Sequence, residues 1–476
     1  MWLLNTTTYE LRMFIDGTDM PPYAILSHTW GPDEVTFQDI QNLPLASTKA
    51  GFTKIQGCCT QALRHNIDWA WIDSCCIDKT SSAELSEAIN SMYSYYLLSR
   101  VCFVYLGDVP PLSYSLPPMG RLPSLASSRW FTRGWTLQEL IAPRRTIFYT
   151  SDWSRLGTKG VHTDERPFIQ DLSSITGIFE SVLAKTRHPR DYSVAERMSW
   201  AANRQTTRAE DQAYCLMGLF GVNIPVLYGE GLKHAFQRLQ HEIIRTSPDE
   251  TIFAWRADPQ QVVVDPYTRE RRSRSVTSGL LADSPADFAR SHDIHQRALL
   301  PPSPFREFSM TNMGLSIAAS LVRLTPAVSG SLHGSLAPQS MFVLPIGASG
   351  RPNETSPRTR VGLYLEPVVV AASRALGHKT LYYRRAKCND FCFAATREFP
   401  QGELADIYIL EDDQFAEMQF ADRPPTPRPG SGSGWGSGSD AGGNWSPSMG
   451  ARLSLSPSPS PRPSPRASPM PRMDLG

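Results

Sequence analysis

Residues 69–106 read WAWIDSCCIDKTSSAELSEAINSMYSYYLLSRVCFVYL, and the hydrophobic period changes twice along them. Trp69–Asp73 (WAWID) and Val101–Leu106 (VCFVYL) are short apolar runs of strand length. Between them Ser81 and Glu84 stand in the S-x-x-E pattern of a capping box, and Ile89, Met92, Tyr93, Tyr96 and Leu97 follow at helical spacing. Strand, helix and strand in succession define a βαβ unit.

The same alternation extends outward. Tyr23–Trp30 (YAILSHTW) is an apolar run closed by Gly31-Pro32, a strand followed by a turn. Phe52, Ile55, Cys59, Ala62 and Leu63 recur with helical period over 52–66. Trp135–Ile141 reads as a short helix stopped by Pro143, and Thr146–Tyr149 as a fourth strand. The fold class expected for 1–160 is therefore α/β, a mostly parallel sheet flanked by helices on both faces. Residues 161–255 read as a helical extension packed on that sheet, with helical spacing at Ser193–Ala202, Ala209–Phe220 and Gly229–Arg245. A connector follows at 256–300, with a basic run, RERRSRS (Arg269–Ser275), that is either a solvated loop or a nucleic-acid or import patch. In 301–420 the runs LSIAASLVRL, MFVLPIG, RVGLYLEPVVV and ADIYIL are separated by Pro, Gly and Ser, the pattern of a mostly β accessory domain. Residues 421–476 are rich in Pro, Ser and Gly; such a tail buries too little apolar surface to offset its ordering entropy and is expected to be disordered. Its Ser-Pro and Thr-Pro pairs are either phosphorylation sites or unregulated.

Bulk composition excludes several classes. A net charge of +1 over 476 residues gives no global attraction to nucleic acid or to an anionic membrane. No apolar run reaches the roughly 18–20 residues a membrane span needs. Thr6, Thr7, Thr8 and Glu10 interrupt the N-terminus where a secretory signal would be apolar. The expected location is the cytoplasm. The eight cysteines form no CxxC, and they read as buried thiols rather than as metal ligands.

Three blocks, YAILSHTWG (23–31), WIDSCCIDKTSSAELSEAINSMYSYY (71–96) and SRWFTRGWTLQELIAP (128–143), occur in order. They resemble the motif blocks of the fungal heterokaryon-incompatibility (HET) domain. The runs at 208–231 and DETIFAW (249–255) resemble the segment after that domain in large members, so the likeness covers roughly residues 23–255. No GxxxxGK[ST] phosphate loop is present beyond it. The resemblance implies non-self recognition, with programmed cell death when incompatible cells fuse, through self-association and an incompatibility partner protein. The blocks are also similar, more distantly, to TIR domains. SRWFTRGWTLQEL resembles the segment of plant-type TIR domains that holds the catalytic Glu of NAD cleavage, which places that role on Glu139. This sequence departs from the pattern at Thr136, where those proteins have Cys.

The likeness implies NAD or a related nucleotide as the substrate, with no cofactor and no metal. Breaking a nicotinamide–ribose bond passes through an oxocarbenium-like state that a carboxylate stabilises. Trp135 lies one turn before Glu139, on the same helix face, where an aromatic neighbour would raise the carboxyl's pKa by desolvation. In an open parallel sheet, ligands bind beyond the carboxyl ends of the strands. Ser27, His28, Trp30 and Gly31 sit at the end of the first strand, and Asp73 and Asp78 flank the end of the second. Each has two readings: His28 as a phosphate contact or a packing residue, Asp73 as a ribose ligand or a cap, and Arg133 as a partner of phosphate or of Glu139. Glu139 itself is either the reacting carboxylate or a bridge to Arg133, Arg144 or Arg145. Trp30, Trp71 and Trp130 read as core, and YGEG (228–231) as a helix start. The competing function is a non-catalytic adaptor, acting through assembly on the helix that carries Ser86, Asn90 and Ser94.

Overall fold

A computed structural model describes residues 1–411 except 16–18, 112–120, 162–164, 259, 261, 265–270, 274–276, 297–306, 324–340, 354, 369–380 and 395–404. The tail 421–476 lies outside the described residues, as does most of the basic run 269–275.

Seven strands form the first sheet: β1 (Trp2–Asn5), β2 (Leu11–Met13), β3 (Tyr23–His28), β4 (Trp69–Trp71), β5 (Val101–Tyr105), β6 (Arg145–Tyr149) and β7 (Arg155–Gly160). They lie in the order β2-β1-β4-β3-β5-β6-β7. The centre, β4-β3-β5-β6, is parallel, as the alternation of strands and helices requires. The edges are not: β1 and β2 form an antiparallel ribbon against β4, and β7 returns antiparallel to β6. The sheet is therefore mixed. Its edges escaped the sequence reading: β1 and β2 are short and only partly buried, and β7 (RLGTKG), although five of its six residues are buried, has too few apolar side chains to show a period.

All six residues of β3 are buried, which a strand covered on both faces must be. Alternate side chains of β3 show what covers each face. The Tyr23 hydroxyl donates to the Tyr95 carbonyl on the helix Ser82–Leu98, at 2.5 Å. His28, on the opposite face, approaches Lys54 of the helix Phe52–Arg64. Crossovers from β3 to β4 and from β4 to β5 run in opposite directions across the sheet. Right-handed crossovers then put their helices on opposite faces and open a crevice between the carboxyl ends of β3 and β5.

Local signals account for the helix ends. Ser81 Oγ accepts from the Glu84 amide at 3.3 Å, the first half of a capping box. The second half is diverted: the Glu84 carboxylate accepts from the Asp78 amide instead and ties the helix to the loop after β4. In the helix Phe52–Arg64 the buried face is Phe52, Ile55, Cys58, Cys59 and Ala62, while Leu63 is left 43% exposed. The run Ala209–Phe220, expected as one helix, is broken into Asp211–Tyr214 and Met217–Phe220. The second piece packs so closely on Ser82–Leu98 that a Cβ at Gly218 would lie 2.1 Å from Tyr93 Cβ. Two further helices, Arg166–Thr176 and Glu180–Leu183, precede these.

Among the described residues the second sheet has ten strands. Its main path runs His295–Gln296, Phe342–Gly350, Thr359–Val368, Leu381–Ala386, Ala405–Ile409, Gly314–Ala319 and Phe308–Thr311. Every pairing in it is antiparallel except Leu381–Ala386 with Ala405–Ile409. All four apolar runs noted in 301–420 contribute strands. The described residues form one compact unit, and one continuous apolar core runs through both sheets and the helices between them. The stretch read as a connector contributes Leu280, Leu281, Phe288 and Ile294 to that core. All eight cysteines are buried. Among the described residues no helix is long and apolar enough to cross a membrane.

Gly218→Ala should destabilise the protein by about 1–3 kcal/mol, because Tyr93 Cβ cannot yield and overpacking outweighs the gain in helix propensity. Chemical denaturation of the two proteins checks this; equal midpoints would show that the two helices can separate at no cost.

Candidate functional site

Ser27 and His28 are the last two residues of β3, so their side chains leave the carboxyl edge on opposite faces. On the first face Ser27 Oγ donates to Glu139 Oε2 at 2.5 Å and accepts from the Trp130 indole at 2.8 Å. Glu139 lies on the short helix Thr136–Ile141, whose six residues are all buried, and is itself 7% exposed. On the other face His28 Nε2 meets Asp73 Oδ1 at 3.1 Å, and the Trp30 indole donates to Asp73 Oδ2 at 2.9 Å. Lys54 completes this side: it ion-pairs with Glu34, donates to the Thr29 carbonyl at 3.0 Å and sits 3.4 Å from His28 Nδ1.

The two carboxyls are driven apart electrostatically. Burial, and then the negative charge of Asp73, push Glu139 up to about 8, against the hydrogen bond from Ser27 and the charge of Arg133. Burial also works to raise Asp73, but the hydrogen bond and charge of His28, with Lys79 and the Trp30 indole, outweigh it and hold Asp73 at about 2. Near neutral pH the edge therefore carries one protonated and one ionised carboxyl. Such a separation is the usual mark of an acid–base or charge-stabilising site.

Glu139, Ser27, His28 and Asp73 thus share one edge. Gly31 adjoins them through its amide, which donates to Glu34 at 2.7 Å. Asp78 is engaged elsewhere, accepting from Thr80 and from Gln38. Arg133 is half-buried and forms no ion pair with Glu139, and neither do Arg144 and Arg145. Trp135 is turned to the helical region, where its indole donates to Asp211 at 3.2 Å. The aromatic beside Glu139 is instead Trp130, fully buried as expected of a core residue but reaching the site through its N–H. Trp30, read as core, is 36% exposed, with the Lys79 ammonium 4.3 Å from its ring centre. In YGEG the amides of Gly229 and Gly231 are both taken by the Glu210 carboxylate.

Residues distant in sequence hold the helix that carries Glu139. Thr136 Oγ1 donates to the Trp130 carbonyl at 2.6 Å and closes the preceding turn. The buried Arg204 donates to both Thr136 Oγ1 and the Arg133 carbonyl at 2.9 Å, and its own pKa falls to about 10 by burial. At the other end Lys185 donates to the carbonyls of Ile141 and Ala142, and the fully buried Lys159 to that of Pro143 at 3.2 Å. Nothing in a sequence pattern marks Arg204, Lys159 or Lys185 for this task, since long charged side chains are ordinarily exposed. Among the described residues no group of three or more His, Cys, Asp or Glu is arranged to hold a metal.

Fold and site together define an α/β protein with a candidate site at the carboxyl edge of the parallel centre of a mixed sheet. Residues 23–123 match the family model of the heterokaryon incompatibility protein (HET), and residues 234–342 match a domain of unknown function, DUF8212. The vegetative incompatibility protein HET-E-1 of Podospora anserina is 40% identical over 293 residues, 59% of this chain and 20% of that protein. The chain thus carries a segment similar to the heterokaryon-incompatibility domain, and it spans about a fifth of the length of that curated relative. No solved structure matches it. The matched HET residues include Ser27, His28, Gly31, Asp73 and Asp78 and stop before Glu139.

A carboxyl raised from 4.5 in the unfolded chain to about 8 in the folded one binds a proton preferentially in the folded state. That contribution to stability is complete below the unfolded value and is lost as pH rises through the folded value, at about 1.4 kcal/mol per pH unit in between. Glu139→Gln removes the titration while keeping an acceptor for Ser27. Its melting temperature relative to wild type should therefore climb steadily from pH 5 to pH 8. Parallel melting curves at all pH values would mean that Glu139 is ionised throughout.

Proposed function

We propose that this chain acts in vegetative incompatibility and that its HET region, once self-assembled, hydrolyses NAD or a related nucleotide, the depletion or the product triggering cell death. The observation that supports this best is the buried, protonated Glu139 bonded to Ser27 at the carboxyl edge of β3, beside an ionised Asp73.

The chemistry is set by those charges. A nicotinamide riboside linkage is cationic, and its approach favours the ionised form of Glu139, so substrate binding expels the proton that burial holds there. The carboxylate then faces C1′ as the bond to the ring nitrogen breaks; the electron pair leaves with neutral nicotinamide, and positive charge grows on the ribose. Water adds to C1′ and loses its proton, which gives the ADP-ribose hydroxyl. Ser27, itself held by the Trp130 indole, fixes the rotamer of Glu139. Asp73, already aligned by His28 and Trp30, accepts from a ribose hydroxyl, and the half-buried Arg133 faces phosphate.

Because the ionised form reacts, kcat/KM for NAD should rise with pH and level off above about 8. Purified protein at a concentration that drives assembly should release nicotinamide. Glu139→Ala should lower the rate at least a hundredfold, and Ser27→Ala about tenfold or more. The reading fails if wild type and Glu139→Ala are equally inert when assembled.

The adaptor reading has its own support: Glu139 is only 7% exposed, and a cleft of about 1500 Å³ lies at the opposite edge of the sheet. On the helix it invokes, Ser94 is exposed, whereas Ser86 and Asn90 are half-buried. Under it, charge reversals that block assembly abolish cell death and Glu139→Ala does not.

A further inference from the structure

At the amino ends of β3, β5 and β6, away from Glu139, a cleft of about 1500 Å³ opens between the edge of the sheet and the end of the helix Ser82–Leu98. Arg100, Arg144, Arg145 and Arg155 line it. Arg155 is paired with Glu165, on the same wall. The guanidinium groups of Arg100, Arg144 and Arg145 have no ion pair or side-chain hydrogen bond among the described residues, and all three residues are exposed.

Arginines after helix ends commonly compensate helix dipoles, but here that need is already met. The last carbonyls of Thr136–Ile141 and the following turn are taken by Lys185 and Lys159. These two lysines add to the positive field instead of relieving it. Burial, and then the charge of Arg144, press Lys185 down to about 8, and burial followed by Arg145 lowers His65 as well. Burial dominates both shifts; the arginine charges add to them in the same direction, and guanidinium groups gathered at one cleft without anionic partners among the described residues favour an anion. Its rim is also apolar: Leu97, Leu98 and Val161 are 40%, 71% and 42% exposed. The volume and the apolar rim exceed what an inorganic anion uses and suit an acidic peptide carrying large side chains.

The chain contains one such segment. Residues 412–422, DDQFAEMQFAD, hold four carboxylates, no basic residue, and Phe415, Met418 and Phe420 between them. They follow the last strand, Ala405–Ile409, and Glu411, whose carboxylate is fixed by the amides of Leu280 and Leu281. We propose that the arginine cleft at the amino edge of the first sheet binds residues 412–422 of a second copy of this chain, joining copies head to tail.

The test uses a fluorescein-labelled peptide of residues 412–422 and the full chain. The peptide should bind in low salt, and both 0.5 M salt, on the order of a 4–5 Å screening length, and Arg144→Glu with Arg145→Glu should weaken binding tenfold or more. A peptide with Asp412→Lys and Asp413→Lys should lose affinity for the wild-type cleft and regain it on the reversed one, which misfolding would not produce. In sedimentation the full chain should associate with rising concentration, each charge-reversed chain alone should stay monomeric, and the doubly reversed chain should associate again. Equal binding to both clefts overturns the proposal. So does a chain that remains monomeric at every concentration, which would leave the segment bound within its own copy, and so does displacement of the peptide by millimolar inorganic phosphate, which would make the cleft a small-anion site.

Discussion

The constraint on which the rest depends is the burial of the Glu139 carboxyl with no arginine or lysine paired to it. A lone buried carboxylate is too unfavourable to persist, so the group keeps its proton and is held by neutral donors, chiefly Ser27. That arrangement demands a rigid support, because a helix of six residues has little stability of its own. The support comes from cations acting on backbone and hydroxyl groups: Arg204 at the start of the helix and Lys185 with Lys159 at its end. Positive charge is thus directed at carbonyl oxygens, and none of it neutralises the carboxyl.

Buried polar side chains also tie the second sheet to the helical region. Arg385, on a strand of the second sheet, is 1% exposed; it donates to the carbonyls of Phe253 and Trp255 and lies 3.9 Å over the Trp255 ring. Glu411 accepts from Leu280 and Leu281, Gln240 bridges to both the amide and the carbonyl of Ala282, and Asp249 caps Val194. Each of these contacts links segments far apart in the chain, and each satisfies backbone groups that an apolar core would otherwise leave unpaired. The β-rich region and the HET region are consequently parts of one packed unit. The helical region between them carries Arg204, so the support of Glu139 reaches beyond the segment matched by the HET model.

Much of this was legible in the residues themselves. The strands β3, β4, β5 and β6, the helices at 52–64 and 82–98, and the strand runs after 300 all announce themselves by period and length, which are local properties. So does the placing of Ser27, His28 and Asp73 at one edge, since strand ends and crossover direction follow from that order. Trp130 could be read as core but not as the donor that holds Ser27, because its N–H acts on a residue 103 positions away. Trp135 and Glu139 share a helical face by spacing, yet Asp211, brought in by the helical region, draws the Trp135 indole to itself. By itself, then, the sequence determined the α/β order, the carboxyl edge and the nomination of Glu139. Only the tertiary structure decided that Glu139 is protonated, that Arg204 and two buried lysines hold its helix, and that three arginines stand unpaired, among the described residues, at the opposite edge. Periodicity is set by neighbours along the chain, whereas pKa and charge pairing are set by neighbours in space.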